Sequence, residues 1–211
     1  MITLYHSPDA RSFRCLWALE EARVAYDLKV MAFPPRAHAP DYLALNPCGT
    51  VPLLVDGDST LFESAAILEW LSVRYAPTTL GVGSEDKAYG SWLSWLHFGE
   101  ASLTTLLSTM LRYAVFLPEA QRQPAVVADF RGLFLERLQL VERALADHEY
   151  LAADRFTAAD ISVGYALMLA RMLDLHRVLP PALLAYWARL QERPAFRAAR
   201  AAQKAAAPAA A

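Results

Sequence analysis

Two hydrophobic patterns divide the chain. In the first third, apolar and polar residues alternate over residues 2–6 and 26–30, which indicates strands. Between them, Phe13, Leu16 and Trp17 recur at helical spacing. Beyond about residue 85, four apolar stripes all have the helical period. The pattern therefore predicts an α/β first part followed by an all-helical second part.

The order of elements in the first part predicts a small mixed sheet. A helix between strands 2–6 and 26–30 makes those strands parallel, with a right-handed crossover. Residues 52–55 and 60–62 flank the turn Asp56-Gly57-Asp58, which predicts a hairpin. An apolar helical face over residues 64–75 follows. The predicted order is β-α-β and then β-β-α, with helices packed on the sheet.

A turn-rich segment over residues 76–83 is the predicted boundary between the two parts. We therefore assign one domain to residues 1–78 and an all-helical domain to residues 85–204. Residues 205–211 are mostly alanine and have little apolar surface to bury, so they are predicted to form a disordered tail.

Composition narrows the classes of function. The 211 residues include 20 basic and 22 acidic side chains, giving a formal charge of -2, which disfavours nucleic acid as a partner. No apolar run reaches the length of a membrane span, and no leader pattern opens the chain. Two cysteines are too few for a disulfide framework or a structural zinc site. We expect a cytoplasmic protein without a metal.

Two short motifs suggest ligand binding, each with a plainer alternative. Pro52 opens a predicted strand; a cis Val51-Pro52 bond would turn the Val51 backbone outward, although a trans bond is the commoner case. Glu63 and Ser64 lie where a strand gives way to a helix, so backbone N–H groups there suit a carboxylate. Glu63 suits an ammonium group. The alternative is that Ser64 caps the helix.

The segments containing these motifs resemble the glutathione-site signature of cytosolic glutathione S-transferases. They read Asn46-Pro47-Cys48-Gly49-Thr50-Val51-Pro52 and Leu61-Phe62-Glu63-Ser64-Ala65-Ala66-Ile67. Residues 4–8 and 155–161 also resemble that family, with its bacterial members of serine or theta-like type as the nearest pattern. The resemblance implies a thioredoxin-like first domain, an all-helical second domain and a homodimer.

Glutathione-binding roles follow from the resemblance. It implies a cis Val51-Pro52 bond, with the Val51 backbone pairing with the cysteinyl part of glutathione. Glu63 and Ser64 would hold the γ-glutamyl end. The family's usual histidine position aligns with Ala37, so His38 or, alternatively, Arg36 would bind the glycyl carboxylate.

The residue that activates the thiol is where the sequence departs from the family. Activation requires a hydroxyl or positive charge that lowers the thiol pKa, because the thiolate is the nucleophile. The serine of serine-type members aligns with Ala10, and the cysteine of cysteine-type members aligns with Arg11. Ser12 is our first choice as the catalytic residue, with Ser7 and Arg11 as alternatives. Ser12 could equally cap the first helix.

In the second part, the resemblance implies an electrophile pocket beside its first long helix. His97 and Glu100 share a helix face, and Tyr113 lies further along. All three are candidates to contact an apolar electrophile. The plainer interpretation is that His97 and Glu100 form a hydrogen-bonded pair and that Tyr113 is an aromatic residue of the core. Separately, Thr157 followed by Asp160 before an apolar run predicts a capping box.

The two cysteines have different candidate roles. Cys15 is predicted to be a packing residue of the first helix. Cys48 is predicted to be a small buried filler, with a mixed disulfide to glutathione as the alternative.

The sequence thus predicts a glutathione S-transferase-like detoxification enzyme with glutathione as co-substrate. Conjugation, peroxide reduction and isomerisation all remain open as reactions. Two other functions are retained: a non-catalytic glutathione-binding or interaction module, suggested by Ala10, and a glutathione-dependent disulfide reductase.

Overall fold

The computed structural model describes residues 1–206. These residues form two compact units, one comprising residues 1–81 and 191–206 and the other residues 82–190. The boundary near residue 81 lies inside the predicted linker. The second boundary was not anticipated, because the helical period alone assigned the C-terminal helix to the second part.

The first unit is built on a four-stranded mixed sheet. Its strands are β1 (Ile2–His6), β2 (Tyr26–Val30), β3 (Leu53–Asp56) and β4 (Ser59–Phe62), in the spatial order β2-β1-β3-β4. β1 is parallel to β2 and antiparallel to β3, and β3 is antiparallel to β4. This is the predicted thioredoxin-like arrangement, with a helical crossover and a hairpin.

Three helices connect and cover this sheet. They are α1 (Ser12–Ala22), α2 (Pro35–His38) and α3 (Ser64–Tyr75), with a 3-10 turn over Pro40–Ala44 after α2. α1 is buried from its first residue through Leu19, and it ends where Arg23 adopts a left-handed conformation (φ 54°). Its burial anchors the loop that precedes it.

Over the described residues, the second unit is helical apart from an isolated β-bridge between Ala152 and Arg155. Its helices are α4 (Tyr89–Phe98), α5 (Thr105–Leu111), α6 (Pro124–Ala144), α7 (Ala158–Arg171) and α8 (Pro181–Glu192). Two π-helical segments, Gly99–Thr104 and Arg112–Phe116, follow α4 and α5. Short 3-10 turns over Glu119–Gln121 and Leu175–Val178 complete it. Within residues 1–206, every helix is too short or too polar to cross a membrane.

The capping box predicted at α7 is confirmed. The Thr157 hydroxyl accepts from the Ala159 N–H, and Asp160 Oδ2 accepts from the Thr157 N–H at 2.8 Å. Asp160 is fully buried and also accepts from the Leu151 N–H and the Tyr186 hydroxyl. Burial raises the pKa of Asp160 to about 6, an effect that these hydrogen bonds oppose. The capping box therefore also connects the start of α7 to Leu151 and to α8 within the second unit.

The C-terminal helix α9 (Pro194–Ala206) packs on α1 and belongs to the first unit. The Phe196 ring meets Trp17 and Phe13 edge-on, at centroid distances of 4.9 and 5.5 Å. The helical period does not show which unit this helix joins, because a buried aromatic residue has the same spacing in either unit. Ala205 and Ala206, predicted to be disordered, lie in α9; residues 207–211 of the predicted tail lie outside the described residues.

Candidate functional site

Strand direction brings four chain segments to one end of the sheet. The carboxyl ends of β1 and β2 lie together because the strands are parallel, with His6 opposite Val30. The antiparallel pairs place the start of β3 and the end of β4 at the same end, with Leu53 opposite both Tyr5 and Phe62. Each strand is joined there to a segment that the sequence singled out: residues 7–11, 31–38, 46–52 and 63–64.

The segment before β3 is held rigidly by side chains. Asn46 donates to the Thr50 carbonyl at 2.8 Å and accepts from the Cys48 N–H, and the Tyr42 hydroxyl donates to the same carbonyl at 2.7 Å. Gly49 is left-handed (φ 60°). These bonds fix the backbone that leads into Val51.

Val51 precedes the paired part of β3 by two residues, and its bond to Pro52 is cis, as the resemblance implies. The trans alternative favoured by the pattern alone is wrong. The Val51 side chain packs in a cluster with Tyr42 and Leu53, so its backbone position is set by core packing.

The start of α3 combines a strained backbone with a buried hydroxyl. Glu63 occupies the N-cap position with φ 70° and makes no side-chain capping bond, so the prediction that Ser64 caps this helix is wrong. Ser64 is the first helical residue, and its Oγ accepts from Arg14 Nη1 at 3.0 Å. Non-glycine residues in such conformations cluster at ligand sites.

Arg14 is a site residue that the sequence pattern did not indicate. It lies on α1 among apolar neighbours and is fully buried beneath Ser64. A buried guanidinium carries its positive charge into a region of low dielectric, where it acts strongly on an anion. The available signal was an arginine between Phe13 and Leu16, on the apolar side of a helix.

Ser12, the first-choice catalytic residue, lies inside the first unit. It is fully buried; its Oγ lies 2.8 Å from His6 Nδ1 and accepts from the Ser7 N–H at 3.2 Å. Arg11, not Ser12, is at the N-cap position of α1, so the capping alternative for Ser12 is also wrong. Burial lowers the pKa of His6 to about 4, which keeps the ring neutral near pH 7. These contacts give Ser12 an internal structural role.

The two alternatives to Ser12 differ in exposure. Ser7 is fully buried, and its Oγ has no hydrogen-bond partner among residues 1–206. Arg11 is partly exposed at the amino end of α1. Only Arg11 therefore combines reach with the positive end of the helix dipole.

Of the two candidates for a glycyl carboxylate, Arg36 lies against the segment before β3. A Cβ built on Gly49 would lie 2.6 Å from Arg36 Cβ, so the two backbones are in close contact. His38 is the last residue of the four-residue α2, and both side chains are exposed.

The cysteines are Cys15, which is buried as predicted, and Cys48, which is exposed. The buried-filler prediction for Cys48 is wrong, because this residue is exposed in a turn where its backbone N–H donates to Asn46 Oδ1. Over residues 1–206, histidine, cysteine and acidic side chains form no cluster that could hold a metal ion.

The pocket candidates of the second unit lie on one helical stretch. His97 is exposed at the end of α4, Glu100 is half-buried in the first π-helical segment, and Tyr113 is half-buried in the second. Single-turn π-helical insertions occur often at functional sites, since they change the direction of the side chains around them.

Comparison with known proteins gives a consistent family. The patterns described as "Glutathione S-transferase, N-terminal domain" and "Glutathione S-transferase, C-terminal domain" match residues 1–72 and 103–194. The chain is 33% identical to glutathione S-transferase 3 of Schizosaccharomyces pombe, over 94% of this chain and 86% of that protein.

Solved structures agree with the sequence comparison. A glutathione transferase from Methylococcus capsulatus superimposes with a TM-score of 0.85 and 29% identity, covering 97% of this chain and all of that one. A sphingomonad glutathione S-transferase complexed with glutathione superimposes with a TM-score of 0.83 and 26% identity, covering 96% and 98%.

Proposed function

The chain belongs to the glutathione S-transferase family, and from that premise we propose that it binds glutathione at the common end of its four strands. It is a glutathione-dependent transferase by family. The observation that carries the proposed site is the strand topology, which gathers the starts of α1 and α3 and the Val51 backbone at one sheet end.

The γ-glutamyl end is assigned to the start of α3. Its α-carboxylate would accept from backbone N–H groups there and from the Ser64 hydroxyl. Because Arg14 donates to Ser64 Oγ, the hydroxyl hydrogen remains available to a ligand. Glu63 would meet the ammonium group.

The remaining two parts of the tripeptide extend along the sheet end. The cysteinyl unit would pair with the Val51 backbone as an added strand, a common mode of peptide recognition. We assign the glycyl carboxylate to Arg36, because its backbone contacts Gly49 in the segment that leads to Val51. His38 is the competing candidate.

We assign thiolate stabilisation to Arg11 and the amino end of α1. A guanidinium and a helix N-terminus both favour an anion, and both lower a thiol pKa. Ser12 is no longer our first choice, because its hydroxyl is buried against His6. Ser7 is the competing hydroxyl.

The electrophile is proposed to be small and apolar, with His97, Glu100 and Tyr113 contacting it. Support comes from the exposure of His97 and from the two π-helical segments that carry Glu100 and Tyr113. Conjugation is the proposed reaction, with peroxide reduction and isomerisation as the other outcomes of a substrate panel. A cytoplasmic homodimer is the proposed assembly.

Glutathione affinity of Ser64→Ala tests the site directly. Loss of a hydrogen bond to a charged group should raise Kd about tenfold or more by calorimetry. Ser72→Ala is the matched control, since it removes a buried hydroxyl that donates to Leu68 O in the same helix. Equal Kd values for the two variants would contradict the assignment.

Turnover separates catalysis from binding alone. A chloronitrobenzene and a hydroperoxide, each supplied with glutathione, should be consumed by the unaltered chain and slowly by Arg11→Ala. Binding of glutathione without turnover across a broad electrophile panel would favour the non-catalytic module.

The exposed Cys48 supports one second candidate, a glutathione-dependent disulfide reductase. That function predicts reduction of mixed disulfides that Cys48→Ala abolishes. Reduction that survives this substitution would exclude the role of Cys48.

A further inference from the structure

Helix α9 brings a buried amide to the loop between β1 and α1, residues 7–11. Gln203 is 5% exposed, and its Oε1 lies 3.1 Å from His6 Nε2 and accepts from the Asp9 N–H at 3.2 Å. Its Nε2 donates to Asp9 Oδ1 at 2.8 Å. This last bond fixes the amide orientation, so Oε1 faces the histidine and His6 Nε2 carries the hydrogen.

His6 connects Gln203 to the first residue of α1 by hydrogen bonds. With its hydrogen on Nε2, its Nδ1 accepts from the Ser12 hydroxyl, and Ser12 Oγ in turn accepts from the Ser7 N–H. The bonds therefore hold both ends of the β1–α1 loop from one side chain of α9. The lowered pKa of His6 keeps this order of donors and acceptors fixed at neutral pH.

Asp9 connects the loop to α9. Its backbone is left-handed (φ 58°), a conformation that aspartate adopts more readily than most non-glycine residues. Its carboxylate also pairs with Arg200 of α9. A carboxylate directed instead toward a thiolate would raise that thiol's pKa, because like charges repel. Gln203 and Arg200 direct it toward α9.

We propose that Gln203 is a positioning residue for thiolate stabilisation: it fixes the β1–α1 loop so that Arg11 and the first turn of α1 face the sulfur, and it holds the Asp9 charge away. This inference rests on the proposed function. Rigid support of a reacting group by residues behind it is a general requirement of precise sites.

The test compares Gln203→Leu with Arg193→Leu in the full chain. Arg193 immediately precedes α9, and it bonds Glu21 at 2.6 and 2.8 Å near the opposite end of α1. The ultraviolet absorbance of bound thiolate, titrated with pH, should show the pKa of the glutathione thiol rising by about 1 in Gln203→Leu, a tenfold loss of thiolate. Arg193→Leu should leave that thiol pKa unchanged.

A second variant covers the case in which Gln203→Leu fails to fold. His6→Asn breaks the same chain of bonds from β1 and should raise the thiol pKa in the same direction. An unchanged thiol pKa in a folded Gln203→Leu or His6→Asn, or an equal rise in Arg193→Leu, overturns the inference. If the unaltered chain binds glutathione with the thiol pKa of free glutathione, the proposed function itself fails before any variant is compared.

Discussion

The two units bury polar side chains for different purposes. In the first unit, buried polar side chains bond one another or the backbone near the common end of the four strands. Arg14 donates to Ser64, and Asn46 donates to the Thr50 carbonyl. In the second unit, Asp160 accepts from the Thr157 N–H at the start of α7, and Ser162 donates to the Leu96 carbonyl where α7 packs on α4. Buried polar side chains at the common end of the strands leave nearby backbone groups available to a ligand. Buried polar side chains where helices cross instead bond other helices of the same unit.

Removal of the Asp160 carboxylate should give the largest effect. Asp160→Ala leaves the Thr157 N–H, the Leu151 N–H and the Tyr186 hydroxyl buried without an acceptor. We expect the free energy of unfolding to fall by about 3–5 kcal/mol in urea titrations. Asp129→Ala, on an exposed position of α6, is the control and should change stability by less than about 0.5 kcal/mol. A similar loss in both variants would contradict the assembly role.

A methyl group at Gly99 should disrupt a helix contact within the second unit. The added Cβ would lie 2.4 Å from Ser162 Oγ and 2.5 Å from its carbonyl carbon. Gly99→Ala should therefore destabilise the chain by about 1–3 kcal/mol. Gly90→Ala is the matched control in α4, where a Cβ meets nothing within 4 Å, and it should stabilise by about 0.5–1 kcal/mol. A Gly99→Ala chain as stable as Gly90→Ala would exclude this close contact.

Lowering the pH should reduce the free energy of unfolding, because His6 of the first unit must then be protonated. The folded state holds a neutral imidazole with a pKa of about 4, whereas the unfolded chain takes up a proton near pH 6.5. Stability from His6 is therefore present above pH 6.5 and lost as pH falls toward 4, with about 2 kcal/mol lost by pH 5.

The pH effect is measured as a difference between the unaltered chain and His6→Gln. The comparison is needed because the raised pKa of Asp160 acts in the opposite sense, removing stability as pH rises through about 6. The charged and polar groups that act on His6 are Gln203, Asp9 and Ser12. Parallel stability curves between pH 7 and 5 would show that His6 does not titrate as stated.

The smallest expected effect concerns the exposed basic side chains of α2, Arg36 and His38. Arg36→Ala should weaken glutathione binding by about 1 kcal/mol, as expected for an exposed ion pair. His38→Ala, two residues further on, should leave the Kd unchanged. The reverse result would move the glycyl carboxylate to His38.

Local patterns predicted most elements because periodicity and turn residues act over a few positions. Strands 2–6 and 26–30, the hairpin around Gly57 and the capping box at Thr157 all form as predicted. The interpretations that the structure contradicts concern exact helix starts and exposure. Arg11 rather than Ser12 occupies the N-cap position of α1, and Glu63 rather than Ser64 occupies that of α3. Cys48 is exposed, and neighbouring residues alone do not encode these features.

The sequence by itself determined the order of elements, the family signature around Val51 and Glu63, and the helical character of the second half, because each is written in neighbouring residues. Only the tertiary structure decided that Arg14 lies beneath Ser64, 50 positions away, and that Gln203 reaches His6 across 197. Hydrogen bonds between buried groups need the partners within about 3 Å in space. The number of residues between two partners in the sequence does not determine their distance in the folded chain.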